Sequence, residues 1–313
     1  MDKIISGDCI EVLDKTSEPF ADLIFADPPF NIGYKYDKYN DKQKSENYIA
    51  WTKDWMSACK NVLKPHGSFY IAIGDDYAAN VKIIADELGL VMRNWIIWHY
   101  TFGQQTKDKF ARSHTHIFYF ANDKNYFTYN DYAVRVPSDR QLLYNDKRAN
   151  PAGKMPDDVW NTYPRVCGTF KERKGWHPCQ MPESLLKRII SVSSNPGDCV
   201  LDPFSGSGTT AAAAIQLKRH YVGIEFSEQY VENSSKRLDE LKKEFKADLN
   251  QSNISKHEIE EFKRLSIDTG KTLKEIGADK NLLKIFANQF AVRMKNNKIY
   301  SDEDILMLSK MIE

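Results

Sequence analysis

No apolar run in the 313-residue chain approaches the roughly twenty residues that a helix needs to cross a bilayer, so a membrane-spanning protein is not expected. Met1-Asp2-Lys3 leads straight into folded pattern, without the apolar core of a signal peptide. Cysteine is scarce. The five residues Cys9, Cys59, Cys167, Cys179 and Cys199 form no Cys-x-x-Cys pair, which argues against a disulfide framework and against a zinc site. The expectation is a reducing, cytoplasmic setting and no metal. Neither sign of charge is in excess, since 44 Lys and Arg face 43 Asp and Glu for a formal net charge of +1. That balance does not decide for or against a nucleic-acid partner, because a basic face can be offset elsewhere on the surface. Also missing is a lysine after the second glycine of Gly206-Ser-Gly208-Thr209, which excludes the phosphate-gripping loop of nucleoside triphosphatases. The third glycine of the dinucleotide fingerprint is replaced by Thr209-Thr210, which disfavours NAD.

What is present is enough chain to bury a substantial core, one large α/β domain plus a smaller unit. Two stretches carry chemistry. The first, Leu23-Ile-Phe-Ala-Asp27-Pro28-Pro29-Phe30, is an apolar run that reads as a buried strand and ends at a carboxylate. Each proline fixes its own φ and lacks an N–H, and Pro29 also restricts Pro28, so the loop after the strand is stiff. The Asp27 carboxylate and the Pro28 carbonyl are acceptors beside the Phe30 ring, which suits the two hydrogens and flat face of an amino-bearing nucleobase. Taken alone, the same residues describe a strand running into a proline turn. The second stretch is Cys199-Val-Leu-Asp202-Pro-Phe204-Ser-Gly206-Ser-Gly208-Thr209-Thr210. It passes from an apolar run through a Gly-x-Gly turn into an alanine-rich helix, a context in which glycines let the backbone approach a nucleotide-like ligand. Tyr221-Val-Gly-Ile-Glu225 reads as the next strand, with its terminal carboxylate suited to hydroxyl recognition.

Together these stretches resemble the S-adenosylmethionine-dependent amino-methyltransferases of DNA, in which an Asp-Pro-Pro-Phe or Asp-Pro-Pro-Tyr loop holds the target base and a Phe-x-Gly-x-Gly loop holds the cofactor. The order here, catalytic loop first and cofactor loop late, is similar to the circularly permuted β group, which includes many adenine-N6 enzymes. The likeness runs from about Lys3 to about Leu241. It implies an α/β, Rossmann-like methyltransferase fold with a doubly wound, mostly parallel sheet, an irregular target-recognition insert and a C-terminal helical appendage. It also implies a catalytic set of Asp27, Pro28, Pro29 and Phe30, with Phe30 stacking on the base. S-adenosyl-L-methionine would be held by Asp8, Asp202, Phe204, Gly206, Gly208, Thr209, Thr210 and Glu225, with no metal. In that assignment Asp202 takes the methionine ammonium, Glu225 the ribose hydroxyls, Thr209 and Thr210 the carboxylate, and Asp8 the amino group of the cofactor's adenine. An aspartate in the position of Asp8 equally caps the helix that follows. His177-Pro-Cys-Gln-Met181-Pro is similar to the family's His-Pro-x-Gln-Lys-Pro near the methionine end, with Met181 in the lysine's place.

Four regions are expected: 1–121 as the catalytic half, 122–175 as the target-recognition region, 176–249 as the cofactor-binding half and 250–313 as a helical extension. Asn31 to Glu46 is polar and without period, a candidate lid or DNA-contact loop. Tyr48 to Lys64 repeats its apolar residues at helical spacing and should stop at Pro65-His66-Gly67, while Thr101 to Ser113 reads as a loop. The 122–175 region loses regular period and interleaves Arg and Lys with Tyr and Trp, fitting phosphate and base-edge contacts. Ser255-Lys-His-Glu258 is a capping-box pattern that opens the extension.

The activity implied is methyl transfer to the N6 amino group of adenine in duplex DNA after base flipping, as in restriction-modification systems. Cytosine-N4 methylation needs the same geometry, and a non-enzymatic DNA-binding protein of the same fold is a further alternative. Duplex DNA is the expected partner. A homodimer and a separately acting cognate restriction endonuclease are left open.

Overall fold

The computed structural model describes residues 1–104, 106–247, 254–296 and 298–312. They form two compact units, Met1–Tyr129 with Asp158–Lys243, and Asn130–Asp157 with Glu244–Glu313. The chain begins with β1 (Lys3–Ser6), α1 (Cys9–Leu13), β2 (Ala21–Ala26), α2 (Ser45–Val62) and β3 (Leu63–Ile73). It continues with α3 (Ala78–Glu87), β4 (Val91–Gln104), β5 (Arg112–Ala121), α4 (Asp139–Leu142) and β6 (Val159–Trp160). Then come α5 (Glu183–Ser193), β7 (Cys199–Asp202), α6 (Thr209–Gln216), β8 (His220–Glu225) and α7 (Glu228–Ala247). Leu249, the expected end of the cofactor-binding half, lies outside the described residues. The last helices are α8 (Lys256–Thr269), α9 (Leu273–Ala278), α10 (Lys280–Met294) and α11 (Asp302–Ile312).

The first unit is built on a sheet of order β1-β8-β7-β2-β3-β5-β4-β6. From β1 to β3 every neighbouring pair is parallel, whereas β5 runs antiparallel between β3 and β4. The reversal follows from connectivity: only seven residues separate Gln104 from Arg112, enough for a hairpin but too few for a crossover helix. Every residue of β2 is buried, as expected of a parallel strand covered on both faces. Its one carboxylate, Asp22, is satisfied by Lys64 Nζ at 2.9 Å, His66 Nε2 at 2.9 Å and the Cys199 amide at 2.8 Å.

Two expectations about local structure change. Pro65-His66-Gly67 is not a turn, because α2 passes directly into β3 at Leu63. The Ala21–Leu63 and Leu23–Ser68 pairs enclose a bulge, where a residue without an N–H costs no ladder bond. The loop expected at Thr101 to Ser113 is shorter, since β4 extends to Gln104 and β5 starts at Arg112.

The topology places the chemistry. From β2 the chain proceeds to β3 on one side, while β7, β8 and β1 extend the sheet on the other, so the crossover direction changes between β7 and β2. Ligands of open α/β sheets bind outside the carboxyl ends of the strands at such a point. Asp27 follows β2, Asp202 ends β7, Glu225 ends β8, and Asp8 lies just past β1. Parallel pairing therefore puts all four carboxylates at one sheet edge.

The second unit packs α8 to α11 around Phe262, Phe286 and Phe290, all fully buried, with Ile305 and Leu308. The Ser255–Glu258 and Thr272–Glu275 capping boxes open α8 and α9. The region 122–175 is shared between the units, with 130–157 in this helical unit and the remainder in the sheet unit. Arg293 fixes part of that segment in place: its guanidinium donates to the carbonyls of Arg135 (2.9 Å) and Val134 (3.3 Å) and pairs with Asp268 (2.8 Å) and Glu261 (3.3 Å), with no side-chain exposure. Removing one partner of a buried ionic network leaves the others desolvated without compensation. Arg293→Ala is therefore expected to destabilise this unit by about 3–5 kcal/mol, measured by urea denaturation. Several basic side chains of the segment are similarly committed, Arg135 to Asp131, Arg140 and Arg148 to Asp146, and Lys154 to Asp157.

Candidate active site

The corner after β2 is pinned from α2. The Tyr48 hydroxyl donates to the Pro29 carbonyl at 2.6 Å, which adds a tertiary restraint to the stiffness of two prolines. Beyond it, the stretch 31–44 is ordered around Asp41, whose buried carboxylate accepts from the amides of Asn31 (2.7 Å), Ile32 (3.2 Å) and Tyr34 (2.8 Å). Asn31 holds φ 59°, in the left-handed region, to start this turn. The same loop reaches the start of α7, where Ser227 Oγ donates to Asp37 at 2.7 Å.

On the other side, Asp202 is buried and accepts from the Phe204 amide (3.0 Å) and from Thr210 Oγ1 (2.5 Å). The turn then needs two left-handed residues, Gly206 at φ +47° and Gly208 at φ +72°. A Cβ at Gly206 would lie 2.7 Å from His177 Nε2, and one at Gly208 would lie 3.1 Å from Ser234 Cβ. Gly206 thus gives room to the His177 ring, and Gly208 to the packing of α7. Glu225 receives the Gly206 amide on one oxygen and the Ser227 amide on the other, each at 2.8 Å, so it orders the turn and the start of α7 together. Asp8 Oδ1 caps α1, accepting from Ile10 at 2.8 Å and Glu11 at 3.3 Å.

These pieces enclose an open-mouthed cavity. Asp8, Asp27, Pro29, Asp202, Phe204, Gly206, Thr209, Thr210 and Glu225 line it, joined by Tyr36, Asp37, Trp51, His177, Cys179, Met181 and Tyr230. Burial pushes Asp27 up to about 7, with the negative Asp202 adding to the rise and Arg165 opposing it. Asp202 is likewise pushed up to about 7 by burial, despite the Thr210 and Phe204 donors. Glu225 is also raised by burial. Such a cavity, with carboxylates short of cationic partners, is built to receive an ammonium and other N–H donors. Among the described residues no group of three or more His, Cys, Asp or Glu is arranged to hold a metal ion.

Residues 21–236 match the DNA methylase family. The chain is 37% identical to the type II methyltransferase M.HpaI of Haemophilus parainfluenzae over 76% of its length and 74% of that protein's. The chain belongs to the DNA methylase family. It is also 38% identical to the DNA adenine methyltransferase YhdJ of Escherichia coli strain K12, over 75% of this chain and 82% of that one. In three dimensions it resembles the M1.HpyAVI–SAM complex, with TM-score 0.52 and 20% identity over 76% of this chain and 100% of the other.

In this methylase the two motifs quoted from sequence meet in one cavity, although they are far apart in the chain. Pro28, Phe30 and Gly208 are not among the residues that line it. The Phe30 ring lies against Gly74, where an added Cβ would come within 3.3 Å, while Tyr36 is among the aromatic side chains that line the cavity. Asp37, Cys179, Tyr230 and Arg165 were not legible as site residues. Asp37 and Arg165 belong to segments without period, Cys179 sits within the His177–Pro182 motif and Tyr230 on α7; only tertiary packing brings Asp37, Cys179 and Tyr230 to the cavity and Arg165 near enough to act on Asp27. Trp51 reads from its spacing as part of a packing face, which it is, since its ring lies 5.7 Å from that of Phe204 at the cavity wall. His177 is held down to about 4 by burial and faces Gly206 as a neutral ring.

The raised carboxyls have a measurable consequence. A carboxyl that binds its proton more tightly in the folded than in the unfolded state makes the ligand-free protein less stable as pH rises from about 4 to about 7. A cationic ligand that needs the ionised form of Asp202 will bind more tightly over the same rise. The affinity of the methylase for S-adenosylmethionine is accordingly expected to increase with pH up to about 7 and then level, as measured by calorimetry, with Asp202→Asn giving a flat profile.

Proposed function

We propose that this DNA methyltransferase acts on the N6 amino group of adenine at a specific site in duplex DNA, with S-adenosyl-L-methionine as methyl donor. The observation that carries this reading is that Asp27, behind its proline corner, and Asp202, before its glycine turn, line the same cavity. When bound, S-adenosylmethionine supplies an electrophilic methyl group on a sulfonium sulfur. The chain's residues suit it: Asp202 for the ammonium, Glu225 for the ribose hydroxyls and the free side of Asp8 for the adenine amino group. The Thr210 hydroxyl is already given to Asp202, and the Thr209 hydroxyl accepts from Arg237 and bonds to Ser207, which leaves the first amides of α6 for the carboxylate.

A base stacked in the duplex cannot reach this cavity and must be swung out of the helix. Asp27 then accepts one hydrogen of the amino group; the Pro29 carbonyl is held by Tyr48, so the second acceptor is the Pro28 carbonyl, which lies outside the cavity lining here and has to turn toward the incoming base. Two acceptors on one nitrogen orient its lone pair toward the methyl donor and offset the positive charge that grows on it during attack. An aspartate at position 27, and the family tie to an adenine methyltransferase, favour adenine over cytosine N4. The reading places the protein in the cytoplasm with its DNA, and it admits a homodimer and a cognate restriction endonuclease. Among the described residues no helix is long and apolar enough to cross a membrane.

The test is to incubate the protein with duplex DNA and methyl-labelled S-adenosylmethionine, digest the DNA to nucleosides and identify the labelled base. Label on N6-methyladenine is expected. Label on cytosine would replace the base assignment, and label appearing on RNA but not DNA would remove the reading.

A further inference from the structure

The hairpin joining β4 and β5 ends in a side chain that the fold itself does not use. Phe110 is 100% exposed, the highest value of any large hydrophobic residue among those described. It follows Lys107 and Lys109, both exposed, in a tip whose turn is closed by the Thr106 hydroxyl donating to the Lys109 carbonyl. Arg112 secures the base of the hairpin to the loop after β3 through Asp75 at 3.1 Å and Asp76 at 3.3 Å. An apolar ring fully in water adds nothing to the stability of the first unit, but with two ammonium groups beside it in one tip it offers the pairing of a stacking face and phosphate partners that nucleic acid takes.

The sheet says where that partner comes from. β5 is antiparallel to both β3 and β4, so β4 runs in the same direction as β3 and β2. Its carboxyl end, and the hairpin tip beyond it, therefore lie at the same edge of the sheet as Asp27 and Asp202. A duplex delivering a base to the cavity has to approach this edge. On the reading that the substrate is DNA, we propose that the β4–β5 hairpin is a DNA-contact finger, with Phe110 placed against the base stack and Lys107 and Lys109 on flanking phosphates. An aromatic wedge suits the task because a base can leave the stack more readily where its neighbours are already parted. Ammonium groups on either side of Asp108 hold the wedge in register on the backbone without reading sequence.

The first test uses the full-length protein carrying Phe110→p-benzoylphenylalanine, irradiated with end-labelled duplex DNA. Ile83, an exposed residue of α3, receives the same substitution as control. Strong crosslinking to DNA from position 110 and little from 83 is expected. Phe110→Ala should raise the KM for duplex DNA roughly tenfold with kcat and S-adenosylmethionine affinity unchanged, a loss in the range for one stacked base. Lys107→Ala with Lys109→Ala should reduce the slope of log affinity against log salt by about two, one per phosphate released. Crosslinking to DNA no stronger than the control, crosslinking to a second copy of the chain, or unchanged KM and salt slope would each overturn the finger while leaving methyl transfer intact. A parent protein that transfers no methyl to DNA would instead overturn the functional reading, so the two failures are distinct.

Discussion

Asp27→Ala should lower methyl transfer to DNA by about 10³-fold, while the affinity for S-adenosylmethionine stays within a few fold of the parent. In the role proposed for it, Asp27 accepts from the amino group, helps to orient the lone pair, and places a negative charge where positive charge develops, and the loss of all three together makes the effect this large. Cofactor affinity is spared because none of the hydrogen bonds that shape the glycine turn involves Asp27; they come from Asp202, Glu225 and Thr210. Asp27→Asn separates the contributions, since an amide oxygen still accepts while the charge is gone, and it should fall between the parent and alanine. The measurements are single-turnover transfer of labelled methyl and, separately, calorimetric titration with the cofactor. A variant with alanine at 27 that turns over near the parental rate would remove Asp27 from catalysis.

Asp202→Ala should do the reverse, weakening S-adenosylmethionine binding by about 10²-fold, the scale of one charge-assisted hydrogen bond to a buried carboxylate. Two effects add. The ligand's ammonium loses its counter-charge, and the Thr210 hydroxyl and Phe204 amide lose the acceptor that orders the turn. Asp202→Asn keeps an acceptor for both and isolates the charge. Duplex DNA binding by either variant, followed by fluorescence anisotropy, should match the parent, because the DNA contacts inferred here lie on other segments. A dissociation constant within threefold of parental for the alanine variant would mean that the ammonium is held elsewhere.

The sheet unit was largely legible because its signals are local. An apolar run that stops at Asp27-Pro28-Pro29, and another that stops at Asp202 before two glycines, each specify a strand, its end and the backbone conformation of the turn within a dozen residues. The capping box at Ser255 is of the same kind, satisfied by a partner three residues away. Less legible were features whose partners are distant. Phe30 carries the motif's aromatic position, yet it packs on Gly74, a neighbour that only the β2–β3 pairing supplies. The stretch after it has no period, because its order comes from amide donors converging on one carboxylate, Asp41, and such convergence leaves no repeat in the sequence. The region 122–175 reads as one irregular insert with basic and aromatic residues interleaved, but part of it folds with the helical unit, and Arg135, Arg140 and Arg148 pair with aspartates inside it.

The amino-acid sequence by itself determined the two corners, their stiffness and their chemical character, since prolines, glycines and the carboxylates beside them act through bonds and dihedral angles that are near in the chain. Tertiary structure decided that the corners share a cavity, that burial brings both carboxyls to the neutral range, and that Phe110 overhangs the same edge. Those outcomes depend on which strands lie side by side and in which direction. Strand pairing is settled by the burial of whole faces across the sheet, a sum over distant residues that no short stretch contains.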